Sequence, residues 1–425
     1  MKRILALSLV VLTLLSLCAC GKKQTAFKPR LDTQQTATLN IAGFMGNFEA
    51  LDQAINAFAE LYPNVTILYD HNTIFLLPEY LRNNENTDIF MTDDRNVNRP
   101  DLPDTDALEW CLDLSQEDMD LSAVLPEALK GCTVDGKLVR LPLAMNPCGV
   151  VVNETLLKNE GLTVPTNYQE MLSCMQALKE EGYIPLQGSE QHLYGELMLN
   201  MAMNVLAADS EAVEALRSGK AGARDVMLPV FQRLEEIVSN GYTDYEQNCT
   251  YPADNYDGSI LNFFEGNVPF YVCTSECVSG MKKRETKSET FAANPFTYSF
   301  VYPPVGDTGA YAYNESWYGF SVNKNSDNKN LAVEFLRFLM TPQWLSSMAS
   351  IKGMPSVAVN DADARYQGLY KAKNIQASFV NDGSIPGFIR LAFTKTCNEY
   401  GAGLYQTPEE AAEAFAGYCA NPVSE

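Results

Sequence analysis

The chain has 425 residues, 46% of them hydrophobic, which is enough material for two cored lobes or domains. With 31 Lys and Arg against 53 Asp and Glu its formal charge is −22, so it offers no basic face for the phosphates of a nucleic acid. Only two histidines occur, His71 and His192, and there is no G-x-S-x-G, Walker loop or G-x-G-x-x-G, which argues against His-based catalysis, His-rich zinc sites and the common nucleotide loops.

The chain opens with Met1, Lys2 and Arg3, then runs from Ile4 to Leu17 without a charge. That stretch is shorter than the ~20 residues of a membrane span and fits the core of a secretory leader. It ends Leu17-Cys18-Ala19-Cys20-Gly21, which resembles a bacterial lipobox. On that reading residues 1–19 are a lipoprotein signal peptide, Cys18 leaves with it, and Cys20 takes a diacylglycerol. Two acyl chains hold firmly where one holds marginally, so the domain would be tethered outside the cell. An ordinary signal peptide or membrane anchor with incidental cysteines is the alternative. Residues 20–37 carry the anchor and a polar, aperiodic stretch that reads as a flexible tether.

Structure is expected from Thr38. "TLNIAGF" reads as a strand ending at Gly43, and Leu51, Ile55, Phe58 and Tyr62 repeat at helical spacing until Pro63-Asn64. "VTILYD" and "TDIFMT" are the next strands, so the opening is strand-helix-strand-helix-strand, the pattern of an α/β fold with a mainly parallel sheet. "GKLVRLPLAMNPCGVVVN" holds two strand-like pieces around Asn146-Pro147-Cys148. The following helix is expected to start at Thr166, with Gln169 completing a capping box, and to stop at Gly182. Thr341-Pro342 and Thr407-Pro408 each place a cap before a proline at the first helical position. Nine cysteines follow Cys20, irregularly spaced and without a C-x-x-C pair, so they read mainly as small buried hydrophobes. Cys273 and Cys277, four apart, leave a disulfide or metal role open.

The order of these segments resembles the extracellular solute-binding proteins of bacterial ABC importers, in the sugar-binding, maltose-binding-protein-like group. The resemblance covers residues 38–420. It rests on "FEALDQAINAFAELYPNVTI", "DGKLVRLPLAMNPCGVVVNETLLKNEGLTVPTNYQEML", "FFEGNVPFYV", "YGFSVNKNSDNKNLAVEFLRFLMTPQWL" and "GMPS", in that succession. It implies two α/β lobes, a hinge crossed several times and a ligand cleft between the lobes. Carried over by segment, lobe one is 38–147 plus 270–318 and lobe two is 148–269 plus 319–425. It also implies an ABC permease as partner, a monomer, and no cofactor or metal.

A sugar presents hydroxyls and an apolar face, so its site needs carboxylates, amides, guanidinium groups and flat rings. Matching the family's binding positions gives Phe44, Asn47 and Phe48 after the first strand, and Asp93, Asp94 and Arg95 after the third. Asn146 stands at a hinge crossing. Glu190, His192 and Tyr194 follow in "GSEQHLY", then Glu276, Trp317, Tyr318 and Phe388. Phe44 and Phe388 could equally be core, Asp94 a helix cap, and Glu190 and His192 plain surface. Trp317 and Tyr318 are neighbours, so on a strand only one faces the cleft. Trp317 is the leading stacking candidate, and Trp317→Ala is expected to weaken binding without unfolding the chain. Glu276 stands where many relatives carry a stacking ring, which opens hydroxyl-rich monosaccharides, amino sugars and cationic solutes as ligands. The competing class is a surface-anchored hydrolase with Asp93, Asp94 and Glu276 as suspects. A sensory or adhesion lipoprotein on the same fold is the third reading.

Overall fold

β1 (Ala37–Ala42) buries Leu39 and Ile41 and leads into the helix Glu49–Leu61, whose Ala50, Leu51, Ala54 and Phe58 face inward. Glu49 and Asp52 in its first turn complement the positive end of the helix dipole. β2 (Val65–Asp70) and β3 (Ile89–Thr92) then flank β1 in parallel, with Leu39 opposite Ile67 and Ile41 opposite Ile89. This computed structural model describes residues 27–46, 48–71, 77–93, 106–189, 193–251, 256–360, 370–371 and 374–421. The leader, Cys18 and Cys20 lie outside the described residues. Among those described, no helix is long and apolar enough to cross a membrane.

The chain continues through β4 (Thr133–Val134), β5 (Lys137–Leu138), β6 (Leu141–Pro142) and β7 (Cys148–Asn153). Next come β8 (Leu186–Gln187), β9 (Phe270–Thr274), β10 (Tyr298–Val301) and β11 (Ala310–Asn314). β12 (Gly319–Val322), β13 (Tyr370–Lys371) and β14 (Ile375–Val380) complete the strands. They form a first sheet in the order β2-β1-β3-β12-β6 and a second in the order β13-β10-β7-β9-β8, with β11 paired to β14 and β4 to β5. Each large sheet has its own apolar core.

Strand pairing corrects the expected division into lobes. β9 and β10, assigned to lobe one, lie on either side of β7 in the second sheet. β12, assigned to lobe two, lies between β3 and β6 in the first. The helices Lys329–Leu339 and Pro342–Lys352 after it bury Phe335, Leu336, Leu345 and Met348 in the first core. The reason is the ladder. All six residues of β7 are buried, so both of its edges need partners, and β9 and β10 supply them. The second lobe instead takes back the helices Gly387–Gly401 and Pro408–Ala420.

The sheets are also mixed rather than mainly parallel. β1, β2 and β3 run toward the junction of the lobes, whereas β12 starts at the junction and runs away from it, so it pairs antiparallel with β3. The helix predicted from Thr166 begins one residue later. Asn167 is its cap, accepting from the Glu170 N–H, while the Glu170 carboxylate takes both the N–H and the hydroxyl of Thr166 at 2.8 Å. Gly182, at φ +89°, follows its end as expected. Thr341 and Thr407 hold the cap positions of the helices that begin at Pro342 and Pro408; Thr407 accepts the Glu410 N–H at 3.2 Å, whereas the Thr341 hydroxyl donates back to the Phe338 carbonyl.

Candidate functional site

The chain passes between the sheets at residues 143–147 and again at 315–318. These crossings pair side by side, Met145 opposite Ser316, and the Trp317 N–H donates to the Ala144 carbonyl at 2.8 Å. Just past β1, Gly43 makes room for Tyr69. A Cβ there would stand 2.6 Å from the Tyr69 hydroxyl oxygen, which accepts the Met45 N–H at 3.2 Å. That turn delivers Phe44 to the crossing, edge-on to Tyr318 with ring centroids 4.2 Å apart. Tyr318 in turn meets Trp317 at 5.2 Å, and Trp317 meets Phe48 at 6.0 Å, both edge to face. Trp317 and Phe48 are buried in the first core, while Phe44 and Tyr318 are half-buried and pack at its margin.

Opposite this aromatic row, the second lobe supplies polar groups. Asn146 bridges the junction. Its N–H donates to the Glu315 carbonyl at 2.9 Å, and its Oδ1 accepts from the Ser275 hydroxyl at 2.8 Å and the Glu276 N–H at 3.1 Å. It therefore ties the start of the helix Ser275–Glu285 to the hinge. Glu276 accepts the Trp317 indole N–H at 3.2 Å, a bond that joins the lobes. Lys352 of the first lobe holds its ammonium 5.0 Å from the Trp317 ring and 5.5 Å from Phe48. Burial lowers its pKa, the Glu276 carboxylate opposes that shift, and Lys283 adds to it.

Behind Asn146 lies a second polar group. Glu315 accepts from Arg390 Nη1 at 2.7 Å and from the Tyr313 hydroxyl at 3.0 Å, and that hydroxyl accepts from Asn381 Nδ2 at 3.3 Å. The buried Cys148 thiol donates to Glu196; burial first, then the Glu196 charge, pushes its pKa well above the ordinary value. Sequence reasoning missed Lys352, Glu315 and Arg390. Lys352 ends a helix and Arg390 sits near the start of one, so each reads as ordinary surface charge.

Of the sequence candidates, the structure brings Phe44, Phe48, Asn146, Glu276, Trp317 and Tyr318 together at the junction. Trp317 is 3% exposed, so it serves as a core residue whose indole N–H alone reaches across. Phe388 packs, half-buried, on the second core. Tyr194 is buried in the same core, its pKa pushed up to about 12 by that burial. Asp93 is described, at the end of β3, whereas Asn47, Asp94, Arg95, Glu190 and His192 lie outside the described residues. Cys273 and Cys277 are not joined in a disulfide, and burial, then Cys277, raises the Cys273 pKa well above the ordinary value. Among the described residues no group of His, Cys, Asp and Glu side chains could hold a metal ion. An open cavity of about 700 Å³, lined by Asp106, Cys111, Asp135, Lys137 and Lys324 among others, lies past the far end of β12, away from the junction.

The sequence profile of bacterial extracellular solute-binding proteins matches residues 53–367. The chain belongs to that family. A search among curated proteins found no match. Solved structures with the same fold include the apo form of RafE from Streptococcus pneumoniae, 14% identical, with TM-score 0.68 over 93% of this chain and 99% of that one. A sugar transporter from Bacillus licheniformis in complex with stachyose is 17% identical, with TM-score 0.62 over 90% and 98%. The cyclic alpha-maltosyl-1,6-maltose binding protein from Arthrobacter globiformis is 18% identical, with TM-score 0.63 over 91% and 98%. They establish the periplasmic-binding-protein-like fold of two α/β lobes. In this solute-binding protein the carboxyl ends of β1 and β3 meet the hinge strands, the position where α/β sheets take ligands.

Proposed function

We propose that this solute-binding protein is the substrate-binding component of an ABC importer, which takes a carbohydrate between its lobes and hands it to a membrane permease. The observation that carries the reading is the half-buried ring pair of Phe44 and Tyr318, joined through Trp317 to the Glu276 carboxylate and from there to the Asn146 amide. Rings suit the apolar face of a sugar, and amide and carboxylate suit its hydroxyls. Structural neighbours in complex with stachyose and with raffinose support the ligand class. Asp93, Asp94, Arg95, Asn47, Glu190, His192 and Phe388 are the further contacts proposed.

The protein acts by binding alone, as a monomer. A glycosidase needs a free carboxylate pair at a set separation, and Glu276 already serves Trp317. A diacylglycerol on Cys20 keeps the receptor at the outer face of the cytoplasmic membrane. Cys20→Ser should abolish lipid labelling and Cys18→Ser should not; the reverse pattern would reject the anchor.

The test of the function is a thermal-shift panel of oligosaccharides, amino sugars and polyamines. A ligand at 100 times its Kd stabilises by about 2.7 kcal/mol, which moves the melting temperature by roughly 2 °C or more. A carbohydrate hit is expected. A panel in which only polyamines respond would overturn the ligand class, and new reducing ends released from a glycan would overturn the non-enzymatic reading.

A further inference from the structure

Lys352 closes the helix Pro342–Lys352, and Gly353, at φ +63°, turns the chain away immediately after it. A basic residue at a helix C-terminus is ordinary, because the carbonyl end attracts a cation. The placement of this ammonium is not. It stands over two rings, 5.0 Å from the centroid of Trp317 and 5.5 Å from that of Phe48, both inside the ~6 Å reach of a cation–π contact. The Trp317 indole N–H is held by Glu276, whose negative charge acts on Lys352 from the opposite lobe. A like charge acting on it, Lys283, belongs to the same helix as Glu276. Two aromatic faces and a carboxylate are the elements that recognise ammonium groups.

We infer that Phe48, Trp317 and Glu276 form a cation-binding box, that the protein's own Lys352 fills it, and that Lys352 thereby reserves this end of the cleft for neutral solutes. The inference rests on the reading of the lobe junction as the solute site. A solute bringing an ammonium must displace a cation tethered beside the box at high effective concentration. A solute without one meets Lys352 as a hydrogen-bond donor and Glu276 with its charge already offset. Lys352 is thus a specificity-determining residue, and it answers the question that Glu276 raised in the sequence. The carboxylate is matched from within the chain and calls for no cationic ligand.

The test removes the tethered cation and offers a free one. In the full chain carrying Lys352→Ala, n-butylammonium should bind at least tenfold more tightly than to the wild type, followed by the quenching or shift of tryptophan emission. Its neutral isostere n-butanol should not reproduce the gain, and adding Glu276→Gln should erase it. Lys352→Ser carries the same test if the alanine variant fails to fold. Equal binding of n-butylammonium to variant and wild type would overturn the box, and equal gains for the ammonium and the alcohol would reduce it to an apolar cavity. A glucosamine trisaccharide compared with its neutral N-acetylated form then reads selectivity. Lys352→Ala should shift the preference toward the charged form by about tenfold, and no shift would overturn the specificity role. An ammonium gain with no carbohydrate binding to either protein would leave the box standing and reject the carbohydrate reading.

Discussion

Trp317→Ala separates a core role from a ligand-stacking role. Trp317 is 3% exposed and packs edge to face against Phe48 and Tyr318. Truncating a buried tryptophan costs about 3–5 kcal/mol through lost transfer energy and the cavity left behind. The lost bond to Glu276 adds less than about 1 kcal/mol, because that half-exposed carboxylate is rehydrated. A total near 4 kcal/mol in a unit of ~200 residues lowers the melting temperature by roughly 8–16 °C. Trp317→Phe keeps most of the ring packing and should cost only about 1–2 kcal/mol. Urea unfolding followed by circular dichroism, with calorimetry alongside, measures both. A loss below about 1 kcal/mol for Trp317→Ala, with solute binding abolished, would place the ring in the cleft and refute the assignment to the core.

Gly43→Ala forces a Cβ against Tyr69 and should cost about 1–3 kcal/mol, with part recovered in Gly43→Ala/Tyr69→Phe; urea midpoints showing no loss would contradict the close approach. Arg390→Met removes the cation paired with Glu315, which is 9% exposed and keeps the Tyr313 hydroxyl, and should cost about 2 kcal/mol. Adding Glu315→Gln should return much of that loss, and strictly additive effects in the double-mutant cycle would argue against the pair. Asp113 accepts the Ser115 hydroxyl at 2.6 Å and the N–H groups of Ser115 and Leu138, and the Ser115 hydroxyl first of all holds its carboxyl below the usual range. A lowered folded-state value stabilises above the unfolded value, near 4, and is lost as pH falls through the folded one. The wild-type urea midpoint should therefore fall faster than that of Asp113→Asn between about pH 5 and pH 3, and parallel curves would reject this.

Local structure was the legible part of the sequence. The spacing of Leu51, Ile55 and Phe58 gave the first helix, Pro342 and Pro408 marked two helix starts, and Gly182 marked an end, because each signal acts within a few residues. The capping box slipped by one residue because Asn167 competes with Thr166 for the same role and wins the N–H of Glu170. Lobe membership was not legible. β9 and β12 are short apolar strands of similar composition, and only the empty edges of β7 and β3 decide where each goes. At the site, residue types were readable but burial was not. Trp317 and Tyr318 are consecutive, yet one is core and the other half-exposed. Lys352 and Arg390 gain their roles only from partners more than thirty residues away, Trp317 and Glu315.

The central claim is that a carbohydrate is captured at the junction of the lobes. Native mass spectrometry of the protein purified without refolding, then titrated with neutral oligosaccharides including raffinose and stachyose, tests it most directly. The account predicts a one-to-one adduct with a carbohydrate mass, carried from the cell or formed in the titration, that is weakened in Glu276→Gln. A protein that binds no member of a broad neutral panel, or whose adduct is indifferent to Glu276, contradicts it.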